Sequence, residues 1–292
     1  MRVAIVQTKP TKGRFAENLA AVCDAFSQLA TWPQLPHLVI LPEAALTGYF
    51  LEGAVYDLAR DATSFASDLA DAWRRSSNGA QVDIVCGFYE NASGTYYNSA
   101  LYLRVTATHH EIMHIHRKIF LPTYGVFDEE RFLSRGHNVG VFAGLFGQTS
   151  MLICEDIWHA LVPTIAAVKG ARLLIVPSAS PGRGIDGDGE LVSVQRWMQT
   201  LSLIASEHGI YVLYAGLAGF EGGKGMTGSS CVVDPHGRIL VRGELSDACI
   251  ITGELDAREI DRARAQLPLL GDLASVLPDL IHDLSSSQHP ER

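Results

Sequence analysis

A thiol, a carboxylate and an amine stand out in this chain because each follows a short apolar run of the kind that forms a buried strand. Cys154 closes Met151-Leu-Ile-Cys154 and precedes Glu155-Asp156-Ile157-Trp158; Glu43 follows Leu38-Val-Ile-Leu-Pro42; Lys118 follows the extended stretch ending at His116. Reactive groups in α/β proteins gather at the carboxyl ends of strands. A thiol placed there can attack an acyl carbon, a carboxylate can carry its proton, and an ammonium can hold the charge that develops on oxygen. The three together suit acyl transfer. Singly, each has a plainer reading: a small buried hydrophobe for Cys154, a solvated loop residue for Glu43, and a surface cation beside Arg117 for Lys118.

The elements that must position them alternate apolar runs with segments of helical period, the pattern of an α/β protein. Val3–Gln7 and His37–Leu41 read as strands, and Phe15, Leu19, Val22, Phe26 and Leu29 stripe a helix between them. Phe65, Leu69, Ala72 and Trp73 mark a second helix. Asp83–Phe88 and Tyr96–Val105 form a hairpin turning near Ser93-Gly94, and Glu111–His116 is extended. Ser150–Cys154, a helix from Pro163 to Lys169 and Arg172–Val176 make a βαβ unit. A longer helix striped by Leu191, Val194, Trp197, Met198, Leu201 and Ile204 ends at Gly209, and four strands follow, at Ile210–Ala215, Ser229–Val233, Ile239–Arg242 and Cys249–Gly253. Beyond Pro268 the pattern weakens, and Ser285–Arg292 reads as a polar tail.

Two other motifs carry less weight. His110-Glu-Ile-Met-His114 matches the zincin pattern, which needs a helix to bring both histidines to one zinc ion. In a strand, residues four apart lie about 13 Å from one another, too far to share a metal with bonds of about 2 Å. A histidine-rich edge strand is the expectation, with a zinc-holding helix as the lesser alternative. Gly182-Arg-Gly184-Ile-Asp-Gly187 has dinucleotide-loop spacing, but no acidic residue closes the next strand at the required distance, so it reads as a loop near the pocket.

The 292 residues carry a net charge of −9, with 47% hydrophobic and 19% charged side chains. Such a chain can bury a large core, and its acidity without a basic cluster excludes nucleic acid as an expected partner. The five cysteines (Cys23, Cys86, Cys154, Cys231, Cys249) are widely spaced and include no Cys-x-x-Cys pair. That argues for a reducing, cytoplasmic setting. The first residues read as a strand and not a signal peptide, and no apolar run is long enough to span a bilayer.

Three blocks resemble the nitrilase superfamily of carbon–nitrogen hydrolases: Leu38–Tyr49 around Glu43, His116–Phe132 around Lys118, and Leu152–Trp158 around Cys154. Weaker similarity runs through Val176–Pro181 and Gly228–Gly237. The Glu-Asp pair after Cys154 is closer to amidases and to the glutaminase domain of glutamine-dependent NAD synthetases than to typical nitrilases.

The resemblance implies a four-layer α-β-β-α sandwich over residues 1–265, paired into a homodimer or higher homo-oligomer, with 266–292 as a C-terminal extension that is partly mobile or lies at a subunit interface. It assigns Cys154 as nucleophile, held partly as thiolate, Glu43 as base, Lys118 as charge stabiliser and Glu129 as a residue positioning lysine and substrate. Pocket candidates are Tyr49, Tyr124, Glu155, Trp158, Ser178 and Ser180. No metal or organic cofactor is implied. The expected reaction cleaves a small non-peptide amide to an acid and ammonia through a cysteine thioester. The alternatives are a nitrilase, or an ammonia-supplying subunit of a partner synthetase.

Overall fold

Along Val3–Val6 and Leu38–Leu41 every residue is buried, and successive side chains enter different cores. Val3, Ile5, Leu38 and Ile40 join one cluster, while Ala4, Val6, Val39 and Leu41 join another. Strand geometry dictates this split, since alternate side chains point to opposite faces. A sheet buried on both faces needs a layer on each side.

The computed structural model describes residues 1–187 and 189–286. The first half comprises β1 (Arg2–Gln7), α1 (Phe15–Ala30), β2 (Leu38–Ile40), the single turn α2 (Val55–Leu58), α3 (Ala62–Ser77), β3 (Val82–Ala92), β4 (Thr95–Val105) and β5 (His110–Arg117). Then come β6 (Phe142–Gly144), β7 (Gly147–Met151), α4 (Leu161–Val168), β8 (Leu173–Ser178), α5 (Val192–His208) and β9 (Tyr211–Gly216). The chain continues through the hairpin β10 (Ala218–Glu221) and β11 (Lys224–Thr227) to β12 (Cys231–Val233), β13 (Ile239–Arg242), β14 (Cys249–Glu254), α6 (Ala257–Gln266) and α7 (Leu269–Ser286).

Two six-stranded sheets result, ordered β14-β1-β2-β3-β4-β5 and β13-β12-β9-β8-β7-β6. Residues of α1 and α3, including Phe26, Leu29, Phe65 and Trp73, cover the outer face of the first sheet. The inner face, with Val85, Ala100 and Tyr102, packs on the second sheet, and Ala166, Trp197 and Leu201 of α4 and α5 cover that sheet's far side. The order of layers is α-β-β-α. The β3–β4 turn is the expected one, with Ser93 and Gly94 both left-handed at φ of 54° and 89°.

Three details depart from the sequence reading. Strand β7 ends at Met151, so Cys154 does not close a strand but opens a short 3-10 turn, Cys154–Trp158. The weak pattern beyond Pro268 is a continuous helix, α7, with Pro278 inside it. The β10–β11 hairpin went unread. Of the expected tail, Ser285 and Ser286 close α7, and the rest lies outside the described residues.

Candidate active site

Glu43 sits where the chain leaves β2 and doubles back, with Ala44 left-handed at φ 52°. The segment lies directly on β3, where a side chain at Gly87 would sit 2.5 Å from the Glu43 Cα. Backbone bonds from Gly87 N to Pro42 O (3.0 Å) and Ala45 N to Gly87 O (3.3 Å) fix it there. Lys118 leaves β5 and is pinned by its own amide donating to Asn98 O and its carbonyl accepting from Gly136 N, at 2.8 and 2.7 Å. Backbone bonds thus fix where each side chain starts, and the groups that the side chains meet fix where they end.

Those groups form one buried network. Lys118 Nζ donates to Glu43 Oε1 at 2.8 Å and lies 3.0 and 2.9 Å from the two oxygens of Glu129. Asn98 Nδ2 donates to Glu43 Oε1 at 2.7 Å and to Glu129 Oε1 at 3.0 Å, and the amide of Ala179 donates to Glu43 Oε2 at 2.6 Å. Glu43 and Lys118 are 0% and 1% exposed, so neither charge can rely on water. Burial raises the Glu43 carboxyl above its ordinary range, an effect the Lys118 ammonium opposes. Lys118 itself is held well above the usual lysine range: burial acts against its charge, but Glu129 and Glu43 outweigh it.

Cys154 completes the cluster with φ at 44°, a left-handed conformation unfavourable for a side-chain-bearing residue. Its buried thiol lies in electrostatic reach of Glu43 and Lys118 and beside the Ser178 hydroxyl and the Ala179 amide. Here the structure corrects an expectation. Burial and the Glu43 charge push the thiol well above its ordinary value, more than Lys118 pulls it down. That direction favours the protonated sulfur over the expected partial thiolate.

Five of the six pocket candidates divide between two cavities. Tyr124, Glu155, Trp158 and Ser180 line one of about 560 Å³ together with Arg183, Arg196 and Trp197. It borders the nucleophile turn through Glu155 and the Ala179 segment through Ser180. Tyr124 Oη donates to both Glu155 oxygens at 3.0 and 2.9 Å, and Trp197 Nε1 donates to Ser180 Oγ at 2.9 Å. Tyr49 lies instead with Glu129 on a separate cavity of about 270 Å³, its ring 5.5 Å from Lys118 Nζ. Ser178 lines neither and faces the thiol.

Sequence reasoning missed Asn98, Asp156, Glu221 and Arg183. Asn98 shares the inner face of β4 with Ala100 and Tyr102, and a buried amide in an apolar row is a signal that alternation alone could have raised. Glu221 is held at a distance no local pattern reveals: its carboxylate accepts from the amides of Tyr49 (2.8 Å) and Phe50 (3.0 Å). The Arg183 guanidinium lies over the rings of Tyr124 and Phe127 at 5.6 and 5.2 Å. The zincin match is a strand, β5, on the edge of its sheet. There His114 is partly buried, stacked on Phe142, and pushed by burial to a pKa of about 4.

Residues 2–265 match the sequence family described as Carbon-nitrogen hydrolase. A glutamine-dependent NAD(+) synthetase of Thermotoga maritima is 29% identical over 263 residues, which cover 89% of this chain and 42% of that protein. A 2-oxoglutaramate amidase of Bacillus subtilis is 25% identical over 237 residues, covering 81% of this chain and 84% of that protein. A solved variant of the Nesterenkonia AN1 amidase, from the nitrilase superfamily, is similar with a TM-score of 0.72 at 25% identity, covering 91% of this chain and 95% of that one. The chain spans less than half the length of the synthetases it matches.

Proposed function

Since the chain belongs to the carbon–nitrogen hydrolase family, we propose that it is an amidase-type hydrolase that cleaves a small non-peptide amide at Cys154, through a thioester. The observation that carries this reading is the single buried network joining Glu43, Lys118 and Glu129 beside the thiol. Glu43 takes the thiol proton as Sγ bonds to the carbonyl carbon, in keeping with a sulfur whose pKa is raised by burial. A raised carboxyl pKa suits a base that must return that proton one step later. Lys118 and the amide of Glu155 hold the oxyanion, about 3 kcal/mol for each well-placed donor. The C–N bond then breaks, Glu43 passes the proton to the departing nitrogen, and ammonia leaves. In the second half Glu43 takes a proton from water as the oxygen adds to the thioester, and it returns that proton to sulfur as the carbon–sulfur bond breaks, giving the acid and the free thiol.

Glu129 and Asn98 keep Lys118 aimed at this point. The cavity of Tyr124, Glu155, Trp158, Ser180 and Arg183 receives the rest of the substrate, with Tyr49 and Ser178 lining the reacting end. Among the described residues Arg183 has no carboxylate partner, and its charge suits an amide that carries a carboxylate away from the reacting carbon. The relatives named for glutamine and for 2-oxoglutaramate fit that class. Residues 1–265 are taken as the hydrolase domain. The apolar side chains of Leu267, Leu269, Val276, Leu280, Ile281 and Leu284, each more than 40% exposed, support a homo-oligomer with 266–292 at a subunit interface.

An ammonia-release assay tests the proposal, using L-glutamine, 2-oxoglutaramate, amides without a carboxylate and a nitrile, with wild type and Cys154→Ala. Turnover of a carboxylate-bearing amide, abolished in the variant with the fold retained, is the expected result. The reading of an ammonia-supplying subunit draws on the partial coverage of the synthetases. Release of ammonia by the purified chain without ATP or a second protein counts against it. Turnover by Cys154→Ala at the wild-type rate overturns the assignment of the nucleophile.

A further inference from the structure

Asp156 is fully buried, and its carboxylate joins two segments that carry reactive side chains. Oδ1 accepts from the amides of Ile119 (2.9 Å) and Phe120 (3.0 Å), one and two residues past Lys118. Oδ2 accepts from the amide of Ile153 (3.1 Å), the residue before Cys154. One side chain thus clips the lysine segment to the nucleophile turn. The remaining contact is with His116, whose Nε2 lies 2.8 Å from Oδ2. His116 is 2% exposed and stands two residues before Lys118, as Asp156 stands two after Cys154. The pair therefore bridges the two segments in the same sense as the amide bonds.

We propose that His116 is a positioning residue for the reaction: by holding the Asp156 carboxylate it sets where Lys118 Nζ lies relative to Cys154 Sγ. This rests on the roles proposed above for Lys118 and Cys154. Three amides hold the Asp156 carboxylate, two of them on Oδ1; the His116 ring adds the second bond on Oδ2, the oxygen that meets the nucleophile turn, and so ties that side of the clip to β5. The consequence is large because a misplacement of about 1 Å between reacting groups costs on the order of a hundredfold in rate. His116 also borders a cavity of about 380 Å³ lined by His114, Arg117, Arg135 and His137, which gives a small heterocycle an approach to this position.

The test compares wild type with His116→Phe, which keeps ring bulk without a donor, and His116→Gln, which keeps an N–H. Ammonia release from L-glutamine and 2-oxoglutaramate is measured per folded molecule, alongside the rate at which iodoacetamide modifies Cys154, followed by peptide mass spectrometry. For His116→Phe the expected result is a kcat at least about tenfold lower with KM within about threefold, together with slower Cys154 modification. His116→Gln recovers most of both rates. If His116→Phe does not fold, His116→Ala with and without added imidazole replaces it, and imidazole is expected to raise its rates. Wild-type rates in the Phe variant overturn the inference. So does equal impairment of Phe and Gln, or of Ala with and without imidazole, because the loss then reflects packing alone. Cys154 modification needs no substrate, so it decides the matter even if neither amide turns over. Activity surviving in Cys154→Ala would instead strike at the proposed function, whatever His116 does.

Discussion

Glu43 Oε1 lies 2.8 Å from Lys118 Nζ, and the same ammonium is shared with Glu129. Two carboxylates around one buried cation leave a surplus negative charge, and burial shifts that surplus toward a proton on Glu43. The site is thus poised to bind and release one proton at Glu43, which is what the proposed reaction asks of it twice.

Lys118→Met should expose how much the fold depends on that cation. Without it, Glu43 and Glu129 face one another as buried like charges, and breaking a buried pair in this way costs about 3–5 kcal/mol. Lys118 opposes the rise that burial imposes on the Glu43 carboxyl, so its loss raises that pKa further in the folded state, and the variant should recover stability as pH falls and Glu43 takes up a proton. Urea unfolding at pH 7.5 and pH 5 checks both parts. An unchanged midpoint at pH 7.5 would remove the cation from the stability argument.

The pH dependence of kcat/KM should show an acid limb above the ordinary glutamate value of about 4.3. Glu43 accepts the thiol proton only when unprotonated, so activity rises as pH climbs through its raised pKa and falls below it. Lys118, held well above the usual lysine range, keeps its charge across the alkaline side. An initial-rate series on an active amide gives the profile, and an acid limb at or below the ordinary value argues against Glu43 as the base.

Much of the fold was legible because the central strands of both sheets are buried on two faces and so appear as apolar runs bounded by turn residues. Glu43, Lys118 and Cys154 could be found because each stands close behind such a run. What could not be read was how they meet. Asn98, the Ala179 amide and Glu221 reach the site from positions 55, 136 and about 170 residues away from the groups they bond. The direction of the Cys154 shift also depends on burial, which a linear pattern does not contain. The Gly222-Gly223 turn between β10 and β11 was a readable hairpin signal that went unused, and Pro278 with Gly271 masked the leucine stripe of α7.

The apolar face of α7 predicts association. Leu280, Ile281 and Leu284 are 51, 56 and 67% exposed, and none of the residues of α7 is buried. Sedimentation at micromolar concentration should show a dimer or larger, and Leu280→Asp with Leu284→Asp should shift it toward monomer. A wild-type monomer would leave this face without its expected role.

The covalent intermediate separates the proposed chemistry from every route that spares the thiol. If Cys154 attacks the carbonyl, a good primary amide should leave on it an acyl group whose mass equals the substrate minus ammonia. Release of that group needs water activated by Glu43, whose carboxylate is held by Lys118, Asn98 and the Ala179 amide. Hydroxylamine is a stronger nucleophile than water and depends less on a base, so it should intercept the thioester as a hydroxamate. In Glu43→Gln the balance should move further: acylation slows, because the thiol proton has lost its acceptor, and whatever acyl-enzyme forms should persist. Quenched-flow mass spectrometry on the wild type reads the adduct, and product analysis with hydroxylamine reads the hydroxamate. Since fast deacylation hides an adduct but cannot hide a stable product, the hydroxamate is the deciding observation. Steady release of ammonia with neither an acyl group on Cys154 nor any hydroxamate would rule out the thioester.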